Sequence, residues 1–193
     1  MFRVLLLCIV HAVVCHTAKR QYLIVTDFFT GIKAHEYSVY YPTSKILQYR
    51  IESKYHILQS LELVSYPTKT IIGKLKSKIK MILYEADFDI YDNRTRQWLK
   101  GTVKQGWSLF RHNWTIEFNG RSLLMETESL SFDTNIFDQQ NNRALLAKFR
   151  LRPHSLMWVS KYDLEIYSNE IPDSVYLLSI AARDRALRPR RKG

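Results

Sequence analysis

Asp173-Ser174-Val175-Tyr176-Leu177-Leu178-Ser179-Ile180-Ala181-Ala182-Arg183-Asp184-Arg185-Ala186-Leu187-Arg188 is the stretch on which the fold turns. Pro172 followed by Asp173 and Ser174 places an oxygen-bearing side chain where a helix has unsatisfied amides. Arginines gather at the far end, where the helix dipole favours cations, and Pro189 stops the helix. From Val175 to Ala182 every side is apolar or small, so the helix has no face for water. The apolar run is far shorter than the ~20 residues that span a bilayer. The expected helix is therefore buried inside protein.

What surrounds it must be sheet, because hydrophobic alternation at period two runs through the rest of the chain. Phe88-Asp89-Ile90-Tyr91, Trp114-Thr115-Ile116-Glu117-Phe118 and Tyr162-Asp163-Leu164-Glu165-Ile166 each put aromatic and branched residues on one face. A turn signal follows each such run: Pro42-Thr43-Ser44, Pro67-Thr68-Lys69, Asp92-Asn93-Arg94, Asn119-Gly120, Asp138 to Asn142, and Ser168-Asn169-Glu170. Six turns, each between two strands, imply about twelve antiparallel strands. A closed barrel of that size is wider than side chains alone can fill, and a helix roughly 10 Å across would plug it. Closure also removes sheet edges that would invite aggregation. The fold expected is mainly β: a closed antiparallel barrel around one buried C-terminal helix.

Two strands can be registered from their pattern. Along Ile71 to Lys80, Ile71, Gly73, Leu75, Ser77 and Ile79 share the inner face, and Lys74, Lys76, Lys78 and Lys80 share the outer one. Gly73 and Ser77 should give the helix backbone room. Along Leu145 to Arg152, Leu145, Ala147, Phe149 and Leu151 are expected to face in, with Lys148, Arg150 and Arg152 outside.

The 193 residues fit one domain with a full core, and 29 Lys and Arg against 18 Asp and Glu give a net charge of +11. Met1-Phe2-Arg3 followed by the apolar run Val4 to Cys15 has the form of a secretory signal peptide, cleaved after Cys15 or Ala18. Both cysteines, Cys8 and Cys15, fall in that leader, so the exported chain would hold no disulfide. The sequons Asn93-Arg94-Thr95 and Asn113-Trp114-Thr115 fit export and mark Asn93 and Asn113 as glycosylation candidates. The domain plan is a leader at 1–18, a barrel at 19–188 and a basic tail at 189–193.

The order of motifs resembles a known family. Tyr22-Leu23-Ile24-Val25 leading into a hairpin, then Ala144-Leu145-Leu146-Ala147-Lys148, then Tyr162-Asp163-Leu164-Glu165-Ile166 and Leu177-Leu178-Ser179-Ile180-Ala181-Ala182-Arg183-Asp184 resemble the LURP-one-related family. That family stands in the tubby C-terminal-like superfamily beside the phospholipid scramblases. The resemblance, over about Gln21 to Leu187, implies a twelve-stranded barrel around a C-terminal helix. It also implies binding of anionic headgroups by basic side chains, and Lys148-Phe149-Arg150 has the Lys-x-Arg form of the tubby site. A signal peptide departs from the mostly intracellular family, and phosphoinositides face the cytoplasm.

Chemistry-bearing motifs are absent from the sequence: no Gly-x-Ser-x-Gly elbow, no phosphate loop and no Gly-x-Gly-x-x-Gly. His35, His56, His112 and His154 lack metal-site spacing. Glu85, Asp87, Asp89 and Asp92 alternate along a strand and lack the glycine and terminal glutamate of a calcium loop. No enzyme, cofactor or metal is expected. The lysine row Lys74 to Lys80, with Lys148, Arg150 and Arg152, reads either as a soluble outer face or as a docking site for an anionic membrane surface or an acidic glycan. Nucleic acid is disfavoured, because the aromatics alternate as core strands do and form no stacking platform. The rival to a binding role is a structural or protein-interaction domain, or a scramblase-like membrane-associated protein.

Overall fold

The computed structural model describes residues 17–27, 35–54, 58–78, 82–108, 111–128, 131–153 and 159–187. Twelve strands precede one helix. They are β1 (Arg20–Thr26), β2 (Tyr37–Tyr40), β3 (Leu47–Ser53), β4 (Ser60–Ser65), β5 (Thr70–Ser77), β6 (Glu85–Asp92), β7 (Gln97–Gln105), β8 (Arg111–Phe118), β9 (Arg121–Glu128), β10 (Asp133–Asp138), β11 (Ala144–Leu151) and β12 (Lys161–Ile166), followed by α1 (Asp173–Leu187). Each strand pairs antiparallel with its sequence neighbours, and β1 pairs with β12, so the sheet closes. The expected barrel is the observed one.

The helix fills the lumen. Every residue from Ser174 to Asp184 is buried, and Val175, Leu177, Leu178, Ala181 and Ala182 have no exposed surface at all. α1 runs closest to β5, β6 and β7, and two glycines lie on that wall. A Cβ at Gly73 would lie 3.2 Å from the Leu178 Cδ1 and 3.1 Å from the Leu63 Cβ, so Gly73 makes the room foreseen for the helix. At Gly101 a Cβ would fall 2.3 Å from the Phe88 ring and 2.7 Å from the Glu117 carbonyl oxygen. That second glycine seats Phe88 rather than the helix itself.

The six foreseen turns all lie at one end of the barrel, beside the start of α1, and the six other connections lie at the far end. The turn end is pinned to the helix. Asp173 accepts hydrogen bonds from Arg20 Nε at 2.9 Å and from the Tyr22 hydroxyl at 2.6 Å, and Arg20 also donates to the Ser168 carbonyl. Both partners come from β1, so the first strand and the last element are tied together.

Register follows the alternation with three adjustments, one of them between Val39 and Tyr40, opposite Gln48. In β5, Gly73, Leu75 and Ser77 are buried while Lys74, Lys76 and Lys78 face water, as expected; Ile79 and Lys80 lie outside the described residues. In β11, Ala147 and Phe149 are buried, but Leu146 is buried as well and Leu145 is only half covered. The register shifts between Ile136 and Phe137 opposite, leaving Leu146 as an extra residue. A bulge of this kind inserts one residue and breaks strict alternation. A similar shift between Leu63 and Val64, opposite Ile72, packs Ile72 against the core in place of Ile71, which was expected to face in and is only half-buried.

Candidate functional site

The outer face carries the charge, and its geometry follows from cross-strand register. Directly opposed residues on neighbouring strands read Glu62 (β4), Lys74 (β5), Asp89 (β6), Lys100 (β7) around the barrel. A second row reads Asp133 (β10), Arg150 (β11), Asp163 (β12). Basic strands thus alternate with acidic ones. Opposed charges of opposite sign contribute roughly 0.2–1 kcal/mol each to a sheet.

Most of the expected docking residues are engaged in these ladders. Lys78 Nζ lies 2.9 Å from Glu85 and 2.8 Å from Asp87. Asp133 receives Lys148 at 2.9 Å and both Nε and Nη2 of Arg150. Arg152 grips Asp163 through two hydrogen bonds of 2.8 and 2.6 Å. Lys74 lies over the Trp98 ring, 4.9 Å from its centroid. Among the described residues no ion pair forms at Lys74 or Lys76; Lys80 lies outside them.

The acidic series on β6 has the same role from the other side. Glu85 and Asp87 hold Lys78, and Asp92 caps its turn by accepting from the Arg94 amide and the Thr95 hydroxyl. Hydrogen bonding to that turn lowers the Asp92 carboxyl. His112 is exposed and His35 half-buried, while His56 and His154 fall outside the described residues. Asn93 is exposed at the turn end. Asn113 is half-buried, with its Oδ1 unpartnered and packed against Gly106.

Pairing with Arg150 and then Lys148 pushes the Asp133 carboxyl down from 3.8 to about 2. A carboxyl lowered by folding stabilises above its unfolded value and loses that contribution as pH falls through the folded one. Wild-type stability should therefore drop between pH 4 and 2 more steeply than that of Asp133→Asn. Urea unfolding midpoints across that range check it, and parallel curves would show that the ladder carries no net stability.

The cations outside these ladders concentrate where sequence reasoning gave no hint. Lys45, Lys69, Arg96 and Arg143 have φ of 53, 55, 55 and 57° and are exposed. Lys69, Arg96 and Arg143 each close a hairpin turn at the turn end, and Lys45 is separated from β3 by one residue. Positive φ costs a residue with a Cβ roughly 1–2 kcal/mol, and glycine is the usual solution. Arg143 is occupied by Glu126 at 2.7 Å. Lys45, Lys69 and Arg96 sit on three successive turns, and Lys74 and Lys76 lie further along β5, Lys76 one residue from its far end.

At the far end, inside the barrel, is a buried polar cluster. Arg183 and Asp184 are 8% and 7% exposed. The Asp184 carboxylate accepts from Arg183 Nη1 at 3.1 Å, Tyr162 at 2.8 Å and Tyr37 at 3.2 Å. Arg183 Nε donates to Thr127, which is hydrogen-bonded to Thr134 at 2.6 Å. Tyr84 donates to Gln59, whose amide reaches the Ala181 carbonyl. These bonds anchor the C-terminal turn of α1 to β2, β9 and β12, which makes the cluster a clamp.

The fold and its charge pattern together define a closed, helix-plugged β-barrel with alternating acidic and basic strands on its outer wall. Comparison with family models and with curated proteins finds no match for this chain.

Proposed function

We propose that this chain is an exported, non-enzymatic binding module of the tubby C-terminal-like type, akin to the LURP-one-related proteins. It meets anionic groups, on acidic glycans or lipid headgroups, at its outer surface. The observation that carries this reading is the filled lumen: α1 occupies the interior from Ser174 to Asp184, so recognition belongs to the exterior. The net charge of +11 makes anionic partners the natural choice. Lys45, Lys69, Lys74, Lys76 and Arg96, at which no ion pair forms among the described residues, are its best contact points.

Lys78, Lys148, Arg150 and Arg152, already paired with carboxylates, contribute to long-range attraction more than to direct contact. Those pairs are also the specific observation behind a second reading, a structural or protein-interaction domain whose charge serves barrel closure and solubility.

Retention on immobilised heparin and on vesicles containing acidic lipid separates the two. On the binding reading the protein is retained and released by salt, and Lys69→Gln, Lys74→Gln, Lys76→Gln and Arg96→Gln combined shift elution to clearly lower salt. Equal elution of the variant and wild type would favour the structural reading. Expression in a secreting eukaryotic cell should release a shortened product that carries glycan at Asn93. A full-length, unglycosylated chain in the cytosol would defeat export.

A further inference from the structure

Among the described residues, Ile82 at 75%, Trp107 at 72% and Phe132 at 45% are large apolar side chains that reach solvent. All three lie at the barrel end opposite the hairpin turns, on the β5–β6, β7–β8 and β9–β10 connections. Those connections are consecutive around the rim. With strands about 4.8 Å apart, neighbouring tips stand about 10 Å from one another. They form an apolar arc on one half of the rim.

The arc is held in place. The Gln105 amide donates to the Tyr84 carbonyl at 2.8 Å and the Gly106 amide to Asn113 at 2.9 Å. The Arg111 amide donates to Ser108 Oγ, and the Phe132 carbonyl accepts from the Leu151 amide at 2.9 Å. The two ends also differ in composition. Turn-end connections consist mainly of Pro, Thr, Ser, Asn, Gln, Lys and Arg. At the turn end Tyr41 is stacked on Tyr22 and Trp98 packs on Tyr91, leaving Ile46 as the exposed aliphatic there.

Charged side chains frame the apolar arc. Lys104, Arg111 and Arg185 are exposed at this end, where Glu85 is opposite Lys104, Glu128 is 3.9 Å from Arg111 and Asp133 follows Phe132. The helix α1 ends here at Leu187. Apolar tips with cations among the charged side chains around them match the layered chemistry of a bilayer surface. Tryptophan in particular favours the headgroup boundary.

We propose that this end of the barrel docks on a phospholipid bilayer, with Ile82, Trp107 and Phe132 entering the interface and the surrounding cations meeting anionic headgroups. The face is opposite Lys45, Lys69 and Arg96 of the anion-binding reading, and its apolar tips do not depend on those cations.

Vesicle sedimentation of the full chain, on phosphatidylcholine with and without phosphatidylserine, tests the proposal. Wild type should bind, more tightly with phosphatidylserine, and bromine on the lipid chains should quench a component of emission that Trp107→Phe removes. Ile82→Ser, Trp107→Ala and Phe132→Ser combined should lower partitioning by roughly 1,000-fold, since each of the three tips contributes about tenfold through buried apolar area. Its thermal unfolding should stay unchanged, and Ile46→Ser at the opposite end should bind as wild type does. All variants share residues 1–18, so equal binding by the triple variant overturns the proposal. Absence of wild-type vesicle binding overturns it too, while salt-released heparin retention would leave the anion reading standing. A concentration-dependent dimer that the triple variant abolishes, without vesicle binding, would assign the face to a second copy of the chain instead.

Discussion

Leu178→Asp is expected to yield no folded protein. Leu178 has no exposed surface, and its Cδ1 occupies the space that the missing Cβ of Gly73 leaves on β5. An unpaired carboxylate there has neither water nor a donor, and burying such a charge exceeds the roughly 5–15 kcal/mol that holds a typical domain together. Leu178→Ala, which removes contacts and leaves a cavity, should cost about 2–5 kcal/mol and still fold. A chain ended after Pro172 sharpens the test. Without α1 the lumen loses its filling, and Arg20 and Tyr22 lose the Asp173 carboxylate that ties β1 to the helix. Thermal unfolding followed by near-ultraviolet circular dichroism should show no cooperative transition for the truncated chain. A transition at the wild-type temperature would mean that the barrel stands alone and the helix is an accessory.

The second large effect is expected at Asp184. Its carboxylate gathers Arg183, Tyr162 and Tyr37 in a buried site. Asp184→Ala leaves the Arg183 guanidinium buried without its carboxylate, and breaking a buried pair from one side costs about 3–5 kcal/mol. Replacing both charges, with Arg183→Met and Asp184→Leu, should recover most of that loss, because similar apolar volume removes the desolvation penalty along with the attraction. Chemical unfolding of the two singles and the double gives the coupling. A loss under about 1 kcal/mol for Asp184→Ala would mean that water, rather than Asp184, satisfies Arg183. Because the cluster joins the last turn of α1 to β2, β9 and β12, the destabilised variant should also lose amide protection first at that end.

Much of the architecture could be read from the chain because it rests on local periodicity. Val175 to Ala182 has no polar side, so burial follows wherever the helix lies, and alternation along Gly73 to Ser77 decides which side chains face water. The outward lysines of β5 were therefore legible, as was the need for a small residue at Gly73. The six tight turns were legible for the same reason, since Pro, Asn and Gly mark them chemically.

The meaning of the basic rows was not legible. Whether Lys78 is a free cation or is held by Glu85 and Asp87 depends on which strand lies beside β5 and in what register, and Arg152 and Asp163 are likewise matched across strands. Arg183 and Asp184 read locally as a cationic helix end, yet closure of the barrel around that turn buries them. Gly101 shows its purpose only where the Phe88 ring on the next strand crosses it. The grouping of Ile82, Trp107 and Phe132 on one rim likewise depends on strand order, which brings residues 25 apart in the chain onto consecutive connections. Which residues are buried follows largely from the order of side chains along each element. What each exposed or charged residue faces is decided only by tertiary closure, because electrostatics and surface contact act through space between strands that the chain itself does not order.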